Sequence, residues 1–203
     1  MPFQSEDSAR ISAAIHAAEA RTSGEIVCVL ARRSVDGTAL PVLIAAIVAL
    51  LLPWVLVPFT ALAVRQILLL QVATFLALLV ILCQPRIRTA SIPRATRRAV
   101  AHRVAMEQFM LRGITRTRER TAILIFVSLA ERYARIIADD GIAARVPKAE
   151  WQQAVDTLVG HMREGRIADG FVAAIDRCAG VLATHFPATE GDRDELPDRI
   201  YLI

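Results

Sequence analysis

The sequence predicts an α/β sandwich interrupted by a two-helix membrane hairpin, and three observations predict it. Two runs of strand length, Glu25 to Leu30 and Thr121 to Leu129, are apolar without alternation, as strands covered on both faces are. Amphipathic helical patterns precede the first run and follow the second. Between the two runs, Arg65 is the single charged residue from position 37 to position 85.

The composition agrees with this division. Of 203 residues, 55% are apolar and 22% charged, and the mean hydropathy is +0.44. That hydrophobicity excludes a disordered chain. Three cysteines, Cys28, Cys83 and Cys178, are far apart and odd in number, so they encode neither a disulfide framework nor a zinc knuckle.

The first helix is expected from Ser5 to Arg21, with Ser5 or Asp7 as its cap, Ile11, Ala14, Ile15 and Ala18 on one face, and Gly24 as its stop. The first strand follows at once. The apolar segment then reads as one span from Ala39 to Phe59 and a second from Gln66 to Cys83, each near the 20 residues that a bilayer core of roughly 30 Å requires. Pro53 is placed to kink the first span by removing a backbone donor. Ala45, Ala46 and Ala49 would let helices approach closely and so support dimers. A secretory signal is not expected, because the first apolar run begins beyond residue 37 and the N-terminal segment carries Glu6 and Asp7.

Pro93 to Leu111 reads as a helix ended by Gly113, with Val100, Val104 and Met106 among arginines. The second strand then turns through Ala130-Glu131 into an antiparallel partner, Arg132 to Ile137, and Asp139-Asp140-Gly141 is a turn by composition. Two helices close the domain. Trp151, Ala154, Val155, Leu158, Val159 and Met162 form the stripe of one, and Ile167, Phe171, Ala174, Ile175, Cys178 and Leu182 that of the other. The tail from 188 to 203 is acidic, then apolar, and is placed as a short edge segment. The long crossover between the strands at 25–31 and 121–129 makes them parallel neighbours with a right-handed connection. Strands of one sheet share one side of a membrane, so the inserted spans must be even in number.

Charge orients the hairpin. Residues 86–120 hold ten arginines against Glu107 and Glu119, net +8, while 121–203 carry nine basic and thirteen acidic groups, net −4. Eight arginines flank the apolar segment closely and Arg65 alone occupies its turn. The positive-inside rule therefore places both flanks in the cytoplasm, with the hairpin in the inner membrane. Arg86, Arg88, Arg94, Arg97 and Arg98 are the basic residues expected to face lipid headgroups. Nucleic acid is the disfavoured partner, since no aromatic residues interleave for base stacking.

The strand Ala122 to Leu129, the segment Tyr133-Ala-Arg-Ile-Ile-Ala-Asp-Asp-Gly-Ile142 and the later Arg163-Glu-Gly-Arg-Ile-Ala-Asp-Gly-Phe-Val-Ala-Ala-Ile175 resemble the TPM domain family. Ala17-Ala-Glu-Ala-Arg-Thr-Ser-Gly-Glu-Ile26 resembles the start of that domain. The likeness spans roughly 5–36 and 94–187, and the segment from Glu195 to Asp198 resembles the ending of a membrane-anchored bacterial branch. The resemblance implies a small α/β sandwich. It also implies two activities described for some members, acid phosphatase and divalent-cation binding. Most members present the domain outside the cytoplasm, whereas the arginines here point inside. Where the family has a glycine-rich turn after the second strand pair, this chain has Ala138-Asp-Asp-Gly141. It also has Val146-Pro-Lys148 where an acidic residue usually opens the next helix.

Candidate chemistry is sparse. Asp139 and Asp140 end a strand, where ligands gather in α/β sheets. With Glu131 or Asp169 folded near, they would offer oxygen ligands to calcium or magnesium. The same Asp-Asp-Gly is also a favourable turn, and Asp169-Gly170 also reads as a helix cap. His16 and Glu19 are three apart on a helix, a spacing used by dinuclear metal sites, but no second pair accompanies them, so a solvated helix face is expected. Phosphate-binding glycine loops and hydrolase triads are absent.

The segments expected are thus 1–37 and 121–187 as two parts of a TPM-like domain, 38–85 as the hairpin, 86–120 as a basic juxtamembrane helix, and 188–203 as a tail. The function expected is a non-enzymatic scaffold or modulator of a membrane complex, with a membrane-protein partner the sequence does not name. The alternative is a metal-dependent phosphatase working near the membrane.

Overall fold

A computed structural model describes residues 4–32, 39–84, 94–117, 120–189 and 196–203. The chain forms two compact units, Met1–Ser34 with Arg98–Ile203, and Val35–Arg97.

The first unit is built on β1 (Glu25–Ala31), β2 (Ala122–Ser128), β3 (Tyr133–Ala138) and β4 (Ile200–Leu202), in the order β3-β2-β1-β4. β1 pairs parallel with both β2 and β4, and β2 pairs antiparallel with β3. Every residue of β1 and β2 is buried. The period of two sorts them: Ile26, Cys28, Leu30, Ile123, Ile125 and Val127 enter one core, while Val27, Val29, Leu124 and Phe126 enter the other. This is why both strands read as unbroken apolar runs. Each fully buried Ile, Leu or Phe contributes about 1.5–3 kcal/mol.

The first core is closed by α1 (Ser5–Glu19), α6 (Lys148–Arg163) and α7 (Ile167–His185) through Ile11, Ile15, Trp151, Leu158, Phe171 and Leu182. The second is closed by Ala105 and Phe109 of α4 (Arg94–Leu111) and by Ile114 in the 3-10 turn after it. The tail docks as expected, as edge strand β4, with Arg32 N–H donating to Ile203 O at 2.8 Å.

Caps differ from expectation. Gln4 caps α1, its N–H donating to Asp7 Oδ2 at 3.0 Å. Asp139-Asp140-Gly141 is not a plain turn: Asp139 caps a single helical turn, α5 (Asp140–Ala143). Asp169 is not a cap, because Arg166 is the N-cap of α7 and Asp169 lies in its first turn. Gly170 is held by packing, since a Cβ there would lie 3.1 Å from both Leu158 O and His161 Cβ.

The second unit contains α2 (Ala39–Phe59) and α3 (Val64–Leu82), each long and apolar enough to cross a membrane. α2 continues through Pro53 and Pro58. Its buried side is a row of Pro41, Ala45 and Ala49, so the small residues lie where α2 and α3 pack, and Ala46 faces outward. Trp54 is 80% exposed and Phe59 83%. α3 starts two residues earlier than the sequence reading, so Arg65 belongs to its first turn. Gln66 closes that turn by accepting the Ala63 N–H at 3.0 Å.

Candidate functional site

Asp139 is buried at the end of β3. Its N–H donates to Ala122 O at 3.0 Å, and its Oδ1 accepts the Asp140 N–H at 2.7 Å. Its Oδ2 is buried without a hydrogen-bond partner. The next carboxylate turns away: the Asp140 side chain is exposed and accepts from Arg120 Nη1 at 2.9 Å. Arg120 is held at a φ of 53°, left-handed backbone that costs a non-glycine residue free energy.

The other expected ligands lie elsewhere. Glu131 is buried beside Ser128 before β3 begins, whereas Asp139 follows its end. Six strand residues at about 3.3 Å each keep them near 20 Å apart. Asp169 accepts from Arg10 Nη2 at 2.6 Å, and Arg166 stands 3.9 Å away. The hydrogen bond and charge of Arg10 hold Asp169 below the ordinary carboxylate range. Among the described residues, no three His, Cys, Asp or Glu side chains converge so as to hold a metal ion.

A different cluster gathers at the junction of α1, β1 and the tail. His16 Nδ1 lies 2.9 Å from Asp198 Oδ2, and Glu19 Oε1 accepts the Ile26 N–H at 2.9 Å. Burial, a hydrogen bond to Asp198 and the nearby Glu25 push the Glu19 carboxyl up to about 10, so it is protonated at neutral pH. Asp198 Oδ1 is buried beside it. The expectation of a solvated helix face holds for His16, which is exposed, but not for Glu19, which is half-buried. Asp198, 182 residues from His16, was legible only as the end of the tail motif.

Cys28 and Cys178 are buried free thiols, both pushed up by burial, Cys178 to about 12. Neither is poised as a nucleophile. Of the arginines expected to meet lipid, Arg86 and Arg88 lie outside the described residues, and Arg94 begins α4. Arg97 is half-buried and Arg98 exposed. Further along, Arg112 lies 3.8 Å over the Tyr201 ring and Arg199 lies 4.8 Å from the same ring, so two cations bracket the tail's aromatic residue.

Comparison with known proteins bears on these elements. A family model described as the TPM domain matches residues 79–181, just over half of the chain. The match runs through α4, β2, β3, α5, α6 and most of α7, and leaves α1, β1 and the tail outside it. No curated protein matches. Among solved structures, the chain resembles the NMR structure of BA42 protein from the psychrophilic bacterium Bizionia argentinensis. The TM-score is 0.62 at 20% identity, covering 98% of this chain and 94% of that one. At this identity the likeness concerns the fold.

Proposed function

The chain belongs to the TPM domain family, and from that premise we propose that it is a non-enzymatic scaffold or modulator anchored in the inner (plasma) membrane. In this reading α2 and α3 cross the bilayer as a hairpin, both ends of the sequence lie in the cytoplasm, and the sandwich meets a membrane-protein partner. The observation that carries it is the surface of α2 and α3. Two helices bearing Trp54, Phe59, Leu50 and Val64 largely exposed leave an apolar surface that water does not tolerate. The arginines flanking the hairpin, against Arg65 alone at its turn, give the orientation.

The test is topological. An impermeant maleimide applied to intact cells should label Arg65→Cys, while protease should leave epitope tags at either end intact. Digestion of either tag, or full-length protein recovered as a monomer without detergent, would remove the anchor.

A second reading, a metal-dependent phosphatase, is favoured by one observation, the unpartnered buried Oδ2 of Asp139. Asp139 would then be a ligand for calcium or magnesium, while Asp140 and Asp169, expected beside it, are held by Arg120 and Arg10 instead. Titrating either ion while following thermal stability and phosphate release decides between the readings: no response in both retires the enzyme.

A further inference from the structure

We propose that the outer face of α4 is an interfacial membrane-binding surface, inserting Met106 and Met110 among anionic lipids. This inference rests on the membrane reading above. The inner face of α4, through Ala101, Ala105 and Phe109, is buried. The opposite face would ordinarily be polar. Here it carries Ala95, Ala99, Met106 and Met110, successive at four, seven and four residues, with Arg103 among them, all exposed. Among the described residues outside 39–84, five large apolar side chains are exposed. Three of them are Met106 at 37%, Met110 at 62% and Leu111 at 76%, within the last turns of this one helix.

The charge on α4 chooses the occupant. Four arginines, Arg94, Arg97, Arg98 and Arg103, stand against Glu107 alone. Arg97, Arg98 and Arg103 make no salt bridge among the described residues. A second copy would bring two helices of net positive charge together. An anionic leaflet offers the opposite charge and an apolar interior in one surface, which is what a basic amphipathic helix binds. Eleven residues separate the end of α3 from the start of α4.

The experiment uses the full chain with Cys83→Ser, reconstituted in phosphatidylcholine vesicles with or without phosphatidylglycerol. Met110→Cys carries a fluorophore quenched by brominated acyl chains; Gln153→Cys, exposed on α6, is the reference site. Quenching at 110 should exceed that at 153 several-fold when phosphatidylglycerol is present, and Arg98→Glu with Arg103→Glu should abolish the difference. Equal quenching at the two sites, with the protein retained through carbonate extraction, overturns the inference alone. Release by carbonate overturns the membrane reading and this inference with it. A signal that follows protein concentration rather than lipid composition would make the face a contact between copies, and overturns it too.

Discussion

His16 Nδ1 and Asp198 Oδ2 stand 2.9 Å apart and join the first helix to the tail across 182 residues of sequence. Asp198 is thereby fixed beside Glu19, and the strand that follows it, β4, pairs three residues with β1. So short an edge strand gains much of its hold from what precedes it.

The buried Glu19 carboxyl should make stability depend on pH in a direction opposite to that of a carboxylate in an ordinary ion pair. The Glu19 carboxyl keeps its proton to about 10 in the folded chain, against 4.5 for an unperturbed glutamate. Between those values the folded state binds the extra proton, so its stability is greatest at the acid end and falls as pH rises. Thermal unfolding of the solubilised protein from about pH 5 to about pH 9 should show a declining midpoint. Glu19→Gln, which cannot ionise, should flatten the decline and be the more stable form at the alkaline end by about 1 kcal/mol. A midpoint that rises with pH would show that Glu19 holds no extra proton in the folded state.

Much of the fold was legible because its strongest elements obey one period each. β1 and β2 read as doubly covered strands, and the stripes beginning at Trp151 and Ile167 read as α6 and α7, because burial on defined faces leaves a repeating mark. The cap of α1 and the role of Gly170 were not legible. Gln4 is an uncommon cap, and Gly170 answers to a neighbouring helix rather than to its own. The acidic candidates show the same boundary: Asp139, Asp140 and Asp169 have the right chemistry for a cation, but which arginine neutralises which carboxylate is decided by tertiary placement. Arg10 and Asp169 are 159 residues apart.

Gly170 offers a direct check on helix packing. A methyl group there meets Leu158 O and His161 Cβ at 3.1 Å, and the backbone oxygen cannot swing aside. Gly170→Ala would raise helix propensity at a solvent-exposed site. Here it should instead destabilise by about 1–3 kcal/mol through overpacking, read as a lower midpoint in denaturant. Gly160, which has open space where its Cβ would be, is the control: Gly160→Ala should be neutral or stabilising.

Asp139 separates a cap from a metal ligand. As a cap its Oδ1 satisfies the Asp140 N–H, and Asp139→Ala should cost about 1 kcal/mol with or without divalent cations. Asp139→Asn retains an oxygen for that bond and should retain most of the stability. If calcium or magnesium raises the midpoint of the native chain but not of Asp139→Asn, the carboxylate is a ligand and the scaffold reading gives way to the second.

The thiols report burial independently. Cys28 and Cys178 lie wholly within the first core, whereas Cys83 follows α3 and is partly exposed. A maleimide added to the folded protein in detergent should modify Cys83 rapidly, with the other two reacting only on unfolding. Rapid modification of all three would contradict the packing of α7 against β1.

Ala45 and Ala49 set the spacing of α2 and α3, being 0% and 5% exposed on a helix otherwise turned outward. In lipid the apolar surroundings give little drive to helix association, so close contact of small residues supplies it. Ala45→Leu with Ala49→Leu adds bulk at the contact and should cost about 1–3 kcal/mol. Ala46→Leu adds the same bulk to the outward face and should be tolerated. Disulfide crosslinking between cysteines placed across α2 and α3 measures the effect: the double variant should lose crosslinking efficiency and Ala46→Leu should keep it. Equal efficiency in both would mean that these alanines do not set the contact, and that the hairpin is held by its turn at Gln66 instead.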